Sequence, residues 1–246
     1  MELMNLGRLP EKVRPVLQSY MERMADIQEG NLISAIVYGS SASGDFSPRS
    51  SDLNLLFICE EVDLMVLKKS LQLVNKGIRK NITAPLFLTK EYMETSADVF
   101  PIEFLDMKES HLLIYGKDLL SDLVIDLRNL RHQCEEQIKG KLIRVRQAYL
   151  EVGLRRKGIE ALLKESLSSL IPVFRNLIRL KGLKPSLKKE EILWELARTF
   201  DLEGDVFIEI WRDKQEDEKI GGQEAEAFLG KYISQLEKLA VAVDKL

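Results

Sequence analysis

The chain has 246 residues, 45% of them apolar and 30% charged, with 36 Lys and Arg against 39 Asp and Glu for a net charge of −3. This is the balance of a globular protein long enough for one large or two small domains, and its slightly acidic total argues against general nucleic-acid binding. Cys59 and Cys134 are too few for a disulfide framework or a Cys-rich zinc site and are expected as reduced thiols; no run approaches a membrane span, so the expected compartment is the cytoplasm.

From Glu11 to Glu29, apolar residues at Val13, Val16, Leu17, Tyr20, Met21, Met24 and Ile27 predict an amphipathic helix, with Pro15 tolerated in its early turns. Ala35 to Cys59 then reads as strand, small-residue loop and strand. Ile36, Val37 and Tyr38 run into Gly39, where the missing Cβ lets a backbone approach a ligand closely. Ser40 to Ser51 is almost free of large apolar side chains, and Pro48 rules out regular pairing there. A second strand begins at Leu53, so that Asp52 sits at its mouth and Asn54 shares its face.

Val62 to Lys80 predicts a second amphipathic helix, closing in Lys76, Arg79 and Lys80, which complement its dipole. Ala84 to Leu88 reads as a third strand, and Thr89 as the cap of a helix over Lys90 to Ala97. Phe100 to Met107 reads as a fourth strand by alternation, with Glu103 an acid in its middle and Asp106 nearer its end. An unpaired acid in mid-strand is costly. Beyond Lys108 a short extended piece ends at Tyr115-Gly116 near a domain seam. Asp126 should cap a long helix through Glu151; helices follow over Ile159 to Leu180 (kinked by Pro172), Leu187 to Phe200 (capped by Ser186), Asp205 to Lys214 and Gln223 to Lys245. No strand pattern appears after about Ile125. His111 and His132 lack zinc-like spacing and read as structural or surface residues.

A Gly39-Ser40 turn followed by Asp52-Leu53-Asn54 between two apolar strands resembles the signature of the DNA polymerase β nucleotidyltransferase superfamily, which includes kanamycin nucleotidyltransferase and small bacterial relatives. The resemblance covers roughly the first half of the chain. It implies an α+β fold, with a nucleotidyltransferase-like mixed-sheet domain over residues 1–120 and an all-α helical bundle over 121–246. In that family the Gly-Ser turn holds a nucleoside triphosphate, and two carboxylates on one strand with a third on a neighbouring strand bind two divalent metals. Carried over, this makes Gly39, Ser40, Ser41 and Arg49 the nucleotide contacts, Asp52, Asn54 and Glu103 the ligands of Mg²⁺ or Mn²⁺, and Asp52 and Glu103 the catalytic pair. Asp106 competes with Glu103 for the third place.

The chain departs from that pattern in two places. Asn54 stands where a second acid is expected, and a neutral carbonyl removes a full negative charge from the position that bridges two ions. It reads either as a weak ligand or as a buried amide closing a hydrogen-bond network. Ser43 precedes Gly44 where many relatives carry a basic residue. The resemblance therefore supports two functions: transfer of a nucleoside monophosphate (NMP) from a nucleoside triphosphate (NTP) to a small-molecule or protein acceptor, or a catalytically silent module that binds a nucleotide or a protein partner. A homodimer is compatible with either.

Overall fold

The computed structural model describes residues 2–43, 52–153, 156–215, 220 and 224–246. Contacts divide the chain into two units, Met1–Ile125 and Asp126–Leu246. The first is built on strands β1 (Leu32–Tyr38), β2 (Asn54–Cys59), β3 (Leu86–Thr89) and β4 (His111–Gly116), which lie in the order β3, β2, β1, β4. β1 pairs antiparallel with β2 and with β4, and β2 pairs parallel with β3. Parallel neighbours need a crossover, and the helix α3 (Leu64–Ile78) supplies it between β2 and β3. Helix α1 (Arg14–Gln28) precedes β1, and the four-residue turn of helix α2 (Ser40–Ser43) follows it. Helices α4 (Lys90–Ser96) and α5 (Pro101–Glu109) lie between β3 and β4.

Both faces of the sheet are covered, so its central strands are continuously apolar rather than alternating. On one face Ala35, Val37, Leu55 and Phe57 pack with Leu17, Met21 and Met24 of α1 and Leu73 of α3. On the other, Ile36, Leu56 and Ile58 meet Met93 of α4, Phe104 of α5, and Leu120 and Leu123. Asp63 and Thr89 cap α3 and α4, their side chains accepting from the backbone N–H of Val66 and Tyr92. Cys59 is buried, which pushes its thiol up to about 11.

The segment Phe100 to Met107 is helical, not the strand its alternation predicts. Pro101 has no N–H to give a ladder but fits a first helical turn. The N–H of Phe100 donates back to the Ser96 carbonyl at 2.9 Å. The buried set is Pro101, Ile102 and Phe104, which share one side of a helix and would fall on both faces of a strand.

In the second unit, the described residues form helices α6 (Leu127–Val152), α7 (Arg156–Leu180), α8 (Lys189–Phe200), α9 (Gly204–Gln215) and α10 (Ala225–Asp244). Asp126 caps α6 by accepting from the N–H of Arg128. Phe174, Phe207 and Tyr232 form a chain of edge-on rings at 5.8 and 6.0 Å. The Tyr232 hydroxyl, fully buried, is satisfied by Ser166 at 3.0 Å. No described helix is long and apolar enough to cross a membrane.

Two glycines separate strain from space. Gly30 (φ +89°) and Gly116 (φ +80°) are both left-handed; a Cβ at Gly30 meets nothing, whereas one at Gly116 would lie 1.9 Å from the Ile33 carbonyl oxygen. Gly30→Ala is expected to cost only the backbone strain, about 1–2 kcal/mol. Gly116→Ala should cost clearly more, because β4 must move off β1; urea midpoints of the two variants measure the difference.

Candidate functional site

β1 ends where Tyr38 gives way to Gly39, whose φ of +77° is a conformation that side chains resist. The Gly39 N–H donates to the Ser110 carbonyl at 2.9 Å, and its own carbonyl accepts from Ala42 at 2.9 Å, which turns the chain sharply into α2. Tyr38 stands opposite Asn54 on one side and opposite His111 on the other. Directly paired residues point to the same face. Asn54, Tyr38 and His111 therefore make a row across three strands at one end of the sheet, on the face that carries Ile36 and Leu56.

Asp52 is exposed just ahead of β2. The buried Ser41 hydroxyl donates to the Asp52 carbonyl at 3.1 Å, which ties the turn after β1 to the mouth of β2. Ser41 thereby spends its one proton on the backbone. On the other side, Leu53 donates to the Asn81 carbonyl at 2.8 Å and accepts from the Thr83 N–H at 3.1 Å. The Thr83 hydroxyl then lies 3.1 Å from Asn54 Oδ1, to which it donates.

This arrangement orients the Asn54 amide. Its oxygen faces Thr83, and its nitrogen faces the glycine turn, where a Cβ on Gly39 would come within 3.2 Å of Nδ2. The position that an acid is expected to fill thus presents N–H donors to the turn, and the adjoining parallel segment brings a hydroxyl, Thr83. Among the described residues no three His, Cys, Asp or Glu side chains gather as a metal site. Glu103 is exposed on α5, and the strand on which its metal-binding role was expected is a helix. The donors present fit one Mg²⁺, held by the Asp52 carboxylate with phosphate oxygens completing the shell, as Mg²⁺ commonly is. Among the described residues they do not supply the several carboxylates of a two-metal clamp. Arg49, and the side chain of Ser40, lie outside the described residues.

His111 is more engaged than a surface residue. Nδ1 is 2.8 Å from the Lys108 carbonyl and Nε2 is 3.1 Å from the Asp118 carboxylate, so both ring nitrogens are engaged. Neither nitrogen is left over to serve as a base. Asp118 also accepts from the N–H and hydroxyl of Ser121. Partial burial pushes the Asp118 carboxyl up, but the His111 and Ser121 hydrogen bonds outweigh it and hold the group below its ordinary range. Neither Thr83 nor Asp118 stands out in the sequence, because each is one ordinary polar residue in a turn.

No protein-family model matches the chain, and no curated protein matches it. By structure the chain is similar to the crystal structure of a spectinomycin adenyltransferase from Enterococcus faecialis with ATP and spectinomycin. The two are 14% identical with a TM-score of 0.58, over 89% of this chain and 97% of that one. The shared fold is that of a nucleotidyltransferase. It accounts for the mixed sheet followed by helices.

The Asp118 geometry has a testable sign. A carboxyl whose folded pKa is depressed contributes stability above its unfolded value, near 3.9, and loses it as pH falls through the folded value. Asp118→Asn should therefore lower the urea midpoint at pH 7, and the gap from wild type should close as the pH is taken below about 3.9.

Proposed function

We propose that the protein transfers an NMP from an NTP, with ATP the first donor to try, to a hydroxyl of a small molecule. The observation that carries this reading is the fold shared over nearly all of both chains with an enzyme solved with ATP and a small-molecule antibiotic. In the reaction the acceptor oxygen bonds to the α-phosphorus as it loses its proton. The bond from that phosphorus to the β-bridging oxygen breaks, and pyrophosphate leaves with the electron pair.

In this reading the left-handed Gly39 turn brings its backbone to the triphosphate, and Asn54 Nδ2, which approaches the turn from the side a Cβ would take, supplies N–H donors there. Ser41 holds that turn against the Asp52 backbone, so that the Asp52 carboxylate would stand beside any phosphate bound at the turn. Asp52 would hold Mg²⁺, which when bound neutralises charge on the phosphates and the departing pyrophosphate. In the same reading Ser40 and Arg49, assigned from the sequence alone, contact the triphosphate. Glu103 is left out, since its assignment rested on a strand that is a helix.

Thermal melting with ATP and the other NTPs, with and without Mg²⁺, tests the donor half. Ligand at a hundred times its Kd adds about 2.7 kcal/mol, so wild type should melt several degrees higher with ATP and Mg²⁺, and Asp52→Ala should lose the metal-dependent part. Asn54→Asp should weaken the metal-free shift by setting a charge against phosphate. Pyrophosphate release across a panel of hydroxylated small molecules tests the acceptor half. A nucleotide shift with no release from any acceptor would favour the second reading, binding without transfer, for which the Asn54–Thr83 hydrogen bond is the supporting observation. No shift with any nucleotide would end both.

A further inference from the structure

A cavity of about 330 Å³ opens between α1 and α3, lined on its inner side by Tyr20, Leu73 and Ile82 and at its rim by Arg23, Lys76, Arg79 and Lys80. No carboxylate lines it. Among the described residues none of the four cations is ion-paired, and one acid, Asp26, lines the neighbouring hollow with Arg23 and Lys76. The ordinary account of such a cluster is compensation of the α3 dipole at its C-terminus, but that amounts to about half a charge. Arg23 also belongs to the other helix.

The inner wall carries a second signal. Tyr20 is only 4% exposed, its ring stacks on Phe57 at 6.5 Å, and its hydroxyl has no hydrogen-bond partner among the described residues. An unmet buried hydroxyl costs about 1–3 kcal/mol. Gly77 makes the placement of the ring possible, since a Cβ there would fall 2.8 Å from Tyr20 Cε2. Burial pushes the phenol up to about 12, so it stays a neutral donor in the wall of the cavity. A polar group held dry beside apolar side chains, under a ring of unpaired cations, is the pattern of a ligand pocket.

The cavity is separate from the Gly39 corner. Leu53 and Ile82 belong to the core shared with α1 and α3, whereas alternation turns Asn54 to the opposite face of the sheet. The geometry points to a second ligand site, between α1 and α3, that takes a small phosphate monoester: its apolar or aromatic body against Leu73, Ile82 and Tyr20, and its phosphate on the Arg23, Lys76, Arg79 and Lys80 rim.

Titration of the full chain with 1-naphthyl phosphate tests this, with 1-naphthol and inorganic phosphate as probes that each carry one half of the chemistry. The aryl phosphate should bind at a single site at least tenfold more tightly than either half. The double variant Lys76→Glu, Arg79→Glu should weaken it at least tenfold, and Tyr20→Phe several-fold. Arg23→Gln, exposed and on the other helix, should also weaken it several-fold, which keeps the test intact if the double variant folds poorly. Asp52→Ala should bind the probe as wild type does, and ATP with Mg²⁺ should not displace it. The proposal fails if binding is not saturable, if inorganic phosphate binds as well as the ester, if none of the charge variants changes the affinity, or if ATP competes.

Discussion

With Tyr38 opposite Asn54 and Ala35 opposite Phe57, β1 and β2 pair in a register that a slip of one residue would spoil, because it would exchange the side chains that each helical layer is packed to receive. Both faces are occupied, one by α1 and α3 and the other by α4, α5 and the turn through Leu120, so neither can accept the wrong set. That register brings the glycine turn at the end of β1 level with the start of β2. It also decides that Asn54 faces the α4 and α5 side while Leu53, one residue earlier, is core on the α1 and α3 side. The candidate site follows from packing demands made several residues away from it.

Much of this was legible because the packing demands are periodic. α1 has apolar residues every three or four positions and buries them, and the caps at Thr89 and Asp126 are residues whose oxygens accept the first unpaired N–H groups. The α3 stripe of Leu64, Leu67, Leu71 and Ile78, by contrast, is exposed, and that helix buries Ser70, Leu73 and Gly77 instead. Where two periods fit the same letters, the reading fails. Ile102, Phe104 and Asp106 alternate as a strand would, yet Pro101 opens a helix there, and Glu103 moves off the sheet with it. Ser186 is a near miss of a different kind. Its hydroxyl accepts from the N–H of Lys188, but the helix starts after Lys188 rather than at Ser186. The oxygen was read correctly and its helix boundary was not.

The site was legible only in part, for a physical reason. Asp52 and Asn54 can be placed from their spacing alone, since period two is enforced by the backbone. The partner that orients Asn54 comes from Thr83, on a segment joined through the Leu53 backbone with almost thirty residues intervening. Nothing local in either stretch announces the pairing. The same is true of His111 and Asp118, which are close in sequence but become partners only because β4 ends at Gly116 and the chain turns back.

The chemistry at Asn54 is therefore decided by a neighbour. An aspartate at that position would set its carboxylate between the Thr83 hydroxyl and the glycine turn, offering charge to a metal. The amide turns its oxygen to the Thr83 hydroxyl, which also reaches the Leu53 carbonyl at 3.3 Å, and turns its hydrogens to the glycine side. Fewer anionic oxygens leave the phosphates themselves to supply more of the ligands of any Mg²⁺, so metal and nucleotide should enter together rather than one after the other. Under the proposed function such a corner would favour a metal that arrives already bound to a triphosphate, with Asp52 the residue that distinguishes the metal complex from the free nucleotide.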